Sequence, residues 1–217
     1  MYNNILFDLD GTLTDPMMGI TNAVMYSLKK FGIEESDRTK LYKFIGPPLS
    51  DSYSEYYGFA QETIPDVIKA YREYYSVTGL LENQVYDGTE KLLIDLKAAG
   101  KKLYVATSKP DVFSVKILEH FGLAKYFDGI AGATMNETRT TKVEVIRYAF
   151  DAFGIHDFTE TIMVGDRKHD VLGAKEAGID CIGVLFGYGD RCELETAGAA
   201  YIAKNHHEIG KIIGIYQ

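Results

Sequence analysis

The chain has 217 residues, 46% of them hydrophobic, with 31 acidic against 23 basic side chains and a net charge of −8. That size and apolar content can bury a full core, in one large domain or two small ones. The acidic balance and the lack of any Lys or Arg run argue against a nucleic acid polymer as partner, because such binding needs a basic face to neutralise phosphates. A small anionic substrate needs only a local positive site and is not excluded. No stretch approaches the ~18–20 apolar residues that span a bilayer, so no membrane partner is expected. Met1-Tyr2-Asn3-Asn4 offers neither a basic region nor a long apolar one, so no signal peptide is expected either. Cys181 and Cys192 lack metal-ligand spacing and read as reduced thiols, which fits a cytoplasmic protein.

The apolar run Ile5-Leu6-Phe7 predicts a buried strand over residues 5–8, leading into Asp8-Leu9-Asp10-Gly11-Thr12-Leu13. Two carboxylates two residues apart at a strand end, followed by a glycine turn, suit a nucleophile and an acid/base partner. Asp attacks well only when its substrate is strongly electrophilic and its charge is managed by a metal. A phosphoryl group bound with Mg²⁺ meets both conditions. Taken alone, Asp-Gly is also an ordinary turn signal.

From residue 14 to residue 85 the pattern is helical, with no convincing strand. Ile20, Ala23, Val24, Ser27, Leu28 and Phe31 share one helix face, closed by Gly32, and further helical segments follow at 41–45, up to Tyr57 and at 64–77. An insertion of ~70 residues is too long for a loop of a compact domain. The expected division is therefore a core domain of residues 1–14 and 86–217, with a helical cap domain of residues 15–85. Ligands in open parallel sheets bind beyond the carboxyl ends of the strands, so this insertion would act as a lid. Tyr53, Tyr56, Tyr57, Tyr71, Tyr74 and Tyr75 recur at near-helical spacing within it, suited to a small core of its own or to stacking on a nucleobase.

After the insertion, short apolar runs at 102–107, 129–133, 161–165, 180–185 and 200–203 alternate with amphipathic helices at 89–99, 111–121, 141–153 and 171–177. The helices stop at Gly100, Gly122, Gly154 and Gly178. That alternation predicts an α/β fold, a Rossmann-like three-layer sandwich on a parallel sheet with right-handed crossovers. Three further strand ends carry polar groups. Thr107-Ser108-Lys109-Pro110 presents hydroxyls and turn amides able to hold phosphate oxygens, or to cap a helix. Lys142 opens a helix, where the macrodipole disfavours a cation. Gly165-Asp166-Arg167-Lys168-His169-Asp170 puts two carboxylates four apart, suited to a hard cation or to capping. His169 reads as a helix-start surface group, and His206-His207 reads as solvated.

The order DxDGT, TS, a lone Lys and GDxxxD, each at or just beyond an expected strand end, resembles the haloacid dehalogenase superfamily over the whole chain. The insertion resembles the helical cap of its phosphoglycolate phosphatase-like branch. Ile45-Gly46-Pro47-Pro48-Leu49, Val105-Ala106-Thr107-Ser108-Lys109-Pro110, residues 163–170 and Gly183-Val184-Leu185-Phe186-Gly187-Tyr188-Gly189 resemble more narrowly a bacterial 5′-nucleotidase-like group. Val143 follows Lys142 where many such relatives have proline.

The resemblance implies a Mg²⁺-dependent hydrolase acting on a small phosphorylated metabolite. Asp8 would be the nucleophile and Asp10 the acid/base, with Thr107 and Lys142 also catalytic. Gly11, Thr12, Thr107, Ser108, Lys109, Lys142, Lys43 and Gly46 would bind substrate, and Asp8, Asp10, Asp166 and Asp170 would serve the metal. A sugar-phosphate phosphomutase is the alternative, although mutase relatives often carry Glu-Asp where this chain has Gly165-Asp166. A non-catalytic binding module stands further off, because no motif residue is missing. A monomer is the default expectation. Phosphoglycolate, 5′-nucleotides, pyrophosphate and sugar phosphates all remain open as substrates.

Overall fold

The computed structural model describes residues 1–136 and 138–216. The chain divides into two compact units, one of Met1–Asp15 with Val85–Gln217 and one of Pro16–Gln84. It begins with β1 (Asn4–Phe7) and β2 (Thr14–Asp15). The second unit follows with α1 (Met17–Lys30), a 3₁₀ segment (Arg38–Phe44), α2 (Leu49–Tyr57), α3 (Ile64–Tyr74) and a π-helical turn (Tyr75–Gly79). Through β3 (Gln84–Val85) the chain returns to the first unit. There it alternates as α4 (Thr89–Ala98), β4 (Lys102–Pro110), α5 (Asp111–His120), β5 (Gly129–Ala133), α6 (Lys142–Phe153), β6 (Thr161–Gly165) and α7 (Lys168–Ala177). It ends with β7 (Asp180–Val184), α8 (Arg191–Ala197), β8 (Tyr201–Ala203) and α9 (His206–Ile213).

Six strands form one parallel sheet in the order β5-β4-β1-β6-β7-β8. Its strands are near-continuous apolar runs because helices cover both faces. Ile5, Leu6 and Phe7 are all buried. On one face Leu6, Tyr104, Ala106, Ala131, Met163 and Cys181 pack with Val145, Ile146 and Ala149 of α6, Val171 and Ala174 of α7, and Leu194 of α8. Helix α4 packs on β4 and against α9. The chain fills the sheet outward from β1 in one direction and then in the other, so β1 lies where the strand order reverses. In parallel α/β sheets that is where ligands bind.

The α/β alternation expected from sequence is the observed one, with a few shifted ends. Asp8 lies just past β1, and β4 runs on to Pro110 through a register shift between Ala106 and Pro110. Helix α7 begins at Lys168, three residues earlier than its apolar pattern indicates, because Asp170 accepts the amide of Arg167 and caps the turn. The sequence pattern does not show helices α8 and α9 or the two-residue strands β2 and β3, the strands being too short for a period of two.

Within the second unit, Ile20, Ala23, Val24 and Leu28 form the buried face of α1, which packs on α3. Tyr53, Tyr71 and Tyr75 are buried in that unit's own core, with Tyr53 edge-on to Phe44 at 5.1 Å and bonded to Ser27.

Candidate active site

Strand register brings the motif residues of the first unit together. Phe7 pairs with Val105 of β4 on one side and with Val164 of β6 on the other. Asp8, the next residue, therefore comes level with Ala106 and Gly165, one position short of Thr107 and Asp166. Asp8 N–H donates to the Val164 carbonyl at 2.9 Å, and the Leu9 amide donates to Asp8 Oδ1 at 2.8 Å. Lys142 arrives from the first turn of α6, which is fixed by a capping box of Thr141 and Glu144. Its ammonium lies 2.9 Å from Asp8 Oδ1 and 2.8 Å from Asp170 Oδ1, and it donates to the Ala106 carbonyl at 3.0 Å. The lysine that sits against the helix dipole is thus buried and held by two carboxylates.

A second buried ion pair joins Lys109 Nζ to Asp10 Oδ2 at 2.6 Å. Thr107 is buried, and its hydroxyl accepts the Lys109 amide at 3.3 Å within the irregular end of β4. Gly11 has φ +81°, and a Cβ there would stand 2.2 Å from Asp166 Oδ2, so this turn needs glycine for both conformation and room. Thr12 is buried, with its hydroxyl 3.5 Å from Asp166 Oδ1. Asp166 Oδ2 accepts the amide of Tyr188 at 2.8 Å. Gly11 and Thr12 therefore pack against Asp166, and Lys109 faces Asp10.

Burial dominates the electrostatics. It raises Asp10 above the ordinary carboxylate range, while Lys109 pulls the other way. It raises Asp166 well above that range, reinforced by the charges of Asp170 and Asp8. Asp170 is pushed up to about 6 by burial, against the pull of Lys142. Burial alone would lower Lys142, but Asp170 and Asp8 outweigh it and hold the ammonium above the usual lysine range.

Asp8, Asp166 and Asp170 each bring a carboxylate oxygen within 4.8 Å of the others, an arrangement able to hold a metal ion. With all four ionised, as a bound cation would favour, the four buried carboxylates carry more charge than the two ammonium groups offset. Asp10 Oδ1 is buried with no hydrogen-bond partner among the described residues. An all-oxygen donor set with surplus negative charge suits a hard divalent cation. The oxygens of Asp170 are engaged by Lys142 and by the Arg167 amide, which leaves Asp8 and Asp166 the more available ligands.

Lys43 and Gly46 belong to the second unit. The Lys43 ammonium lies over the Tyr56 ring, 3.9 Å from its centroid, and Gly46 has φ +106°. His169 is half-buried, and burial lowers its pKa, with Arg167 and Lys168 adding to the shift. His206 is not solvated as its sequence context suggests. Its ring stacks on Phe186 at 4.6 Å, Nε2 lies 3.0 Å from the Thr89 hydroxyl, and burial lowers its pKa to about 4. The loop after β7 that supplies Phe186 and Tyr188 was not marked as a site element. Its sequence signals are Gly187-Tyr188-Gly189 shortly after a strand and the likeness of residues 183–189 to the 5′-nucleotidase-like group.

A family model for haloacid dehalogenase-like hydrolases matches residues 5–184. Over 195 residues the chain is 48% identical to a 5′-nucleotidase of Pseudomonas aeruginosa, covering 90% of this chain and 88% of that one. It is 39% identical over 186 residues to the tyrosine-protein kinase PtkA of Mycobacterium tuberculosis, covering 85% of this chain and 62% of that protein. The crystal structure of a predicted phosphatase from Clostridium acetobutylicum matches with a TM-score of 0.95 and 51% identity, covering 98% of each chain.

Proposed function

This chain belongs to the haloacid dehalogenase-like hydrolases, which here act on phosphoric monoester bonds, and we propose that it is a Mg²⁺-dependent phosphatase working through an aspartyl-phosphate. A 5′-nucleotide is the first candidate substrate, on the strength of the 48% identical relative. The observation that carries the reading is Lys142, buried and bridging Asp8 to Asp170 beside Asp166. An ammonium so placed neutralises the nucleophile's surroundings and holds a donor where phosphate oxygens gather.

Asp8, Asp166 and the main-chain carbonyl of Asp10 would hold the ion, with Asp170 supporting them through Lys142. When bound, Mg²⁺ offsets repulsion between carboxylate and phosphate and orients the oxygens. Asp8 Oδ1 is held by Lys142 and the Leu9 amide, which fixes the carboxylate as it attacks phosphorus to form a P–O bond. As that P–O bond forms, the ester P–O bond breaks, and the Asp10 carboxyl gives its proton to the departing oxygen. Burial favours the protonated Asp10 that this step needs. Asp10 then takes a proton from water, whose oxygen attacks phosphorus, releases inorganic phosphate and restores the Asp8 carboxylate. Thr107, the Ser108 amide and Lys142 carry the oxygens on which transition-state charge spreads.

The test is phosphate release with Mg²⁺ and with EDTA across 5′-nucleotides, phosphoglycolate, pyrophosphate, hexose phosphates and p-nitrophenyl phosphate. Release that depends on Mg²⁺ is expected, greatest with a 5′-nucleotide. Release unaffected by EDTA, or none from any ester by folded protein, overturns the reading.

A further inference from the structure

Tyr188 is fastened at both ends. Its amide donates to Asp166 Oδ2 at 2.8 Å, while among the described residues the other Asp166 oxygen has only Thr12 Oγ1, at 3.5 Å, too far for a firm bond. One oxygen of this buried carboxylate is therefore pinned and its partner is left for a ligand. The Tyr188 hydroxyl donates to the carboxylate of Asp15, in β2, where the chain leaves the first unit. The loop comes this close only because residue 187 has no side chain. A Cβ on Gly187 would stand 2.3 Å from the Gly11 carbonyl oxygen and 2.4 Å from Asp166 Cβ.

The bracing continues around the loop. Phe186 meets the Tyr86 ring edge-on at 5.3 Å and stacks on His206 at 4.6 Å. The Tyr86 amide and the Thr89 hydroxyl both donate to the Leu13 carbonyl, at 3.2 and 3.3 Å. Segments 13–15, 86–89 and 186–188 are thus tied into one network, and Tyr188 is the residue within it that reaches Asp166.

We propose that Tyr188 is a positioning residue for the metal centre, holding Asp166 by its amide while its hydroxyl bond to Asp15 holds Tyr188 in place. The proposal rests on the phosphatase reading in taking Asp166 as a Mg²⁺ ligand. Groups that orient a metal ligand typically change metal affinity by about 10–100-fold when lost. Tyr188→Phe keeps the amide and removes the charge-assisted bond to Asp15, so a weakening of about 3–10-fold is expected.

Mg²⁺ binding is measured by calorimetry on wild type, Tyr188→Phe, Asp15→Asn and Tyr201→Phe, without substrate. Tyr188→Phe and Asp15→Asn should raise the Mg²⁺ Kd together, and Tyr201→Phe, which loses a hydroxyl contact to Tyr2 elsewhere in the same unit, should leave it unchanged. A purely structural role predicts otherwise: Tyr188→Phe would lower Tm equally with and without Mg²⁺ and leave Kd alone, and that result overturns the proposal. A second readout needs no variant. The Tyr188 backbone amide resonance of the wild type should move during Mg²⁺ titration with the calorimetric midpoint, and a stationary resonance overturns the proposal. If wild-type protein binds no Mg²⁺, the functional reading falls and this inference with it. If wild type binds Mg²⁺ and Tyr188→Phe binds it equally well, only the inference falls.

Discussion

Lys142→Met keeps most of the buried stem of Lys142 and removes its charge. The ammonium lies 2.9 Å from Asp8 and 2.8 Å from Asp170, with all three side chains under 8% exposed. At an effective dielectric near 20, each such pair is worth about 6 kcal/mol of gross attraction. Desolvation offsets most of that in the intact protein. The variant still has two buried carboxylates to accommodate, and breaking a buried pair by removing one partner costs about 3–5 kcal/mol. That loss is expected at pH 8 in EDTA, measured by urea unfolding followed by circular dichroism. The pH dependence has a definite sign. Asp170 in the folded wild type is raised to about 6 by burial even with Lys142 beside it, and removing the ammonium raises it further. At pH 5 the variant's Asp170 is therefore protonated in the folded state. One of the two stranded charges is gone, and the loss should shrink to about 1–2 kcal/mol. Turnover should fall by about 10²–10³, the usual effect of deleting one donor to transition-state oxygens. A destabilisation under about 1 kcal/mol at pH 8, or one of equal size at pH 5 and pH 8, would refute the buried double ion pair.

Two further outcomes follow from the same geometry. His206 has its pKa depressed to about 4 by burial, below the ordinary value of 6.5. Its contribution to stability is complete above pH 6.5 and is lost as pH falls from 6.5 towards 4, as the unfolded chain takes up the proton first. After allowance for partial exposure, wild type should lose about 1–2 kcal/mol more than His206→Gln between pH 7.5 and 4.5, and parallel stability curves would show the ring is not desolvated. Asp8→Asn should abolish turnover and the acid-stable phosphoryl-enzyme while the chain stays folded, since Lys142 keeps Asp170 as its charged partner. Near-normal turnover in that variant excludes Asp8 as the nucleophile.

Much of the site was legible because its chemistry and its placement share one sequence signal. Asp8 and Asp166 stand immediately beyond apolar runs, and parallel register then makes neighbours of residues 158 positions apart. Lys142 was legible as an anomaly, a cation at a helix start. Its burial was not, because Asp8 and Asp170 reach it only through tertiary packing. His206 was misread for the same reason: the adjacent His206-His207 pair looks solvated, yet Phe186, twenty residues earlier, covers one ring.

Tyr188 is the harder case. What it gives Asp166 is a backbone amide, which every residue but proline carries, so side-chain type holds no trace of the contact. The readable trace lies one position earlier, in Gly187, where a Cβ has nowhere to go. Residues that act through their side chains can be found by asking what each side chain does. Those that act through the main chain show up in the neighbours that must be small, and in this chain Gly11 and Gly187 both pack closely against Asp166.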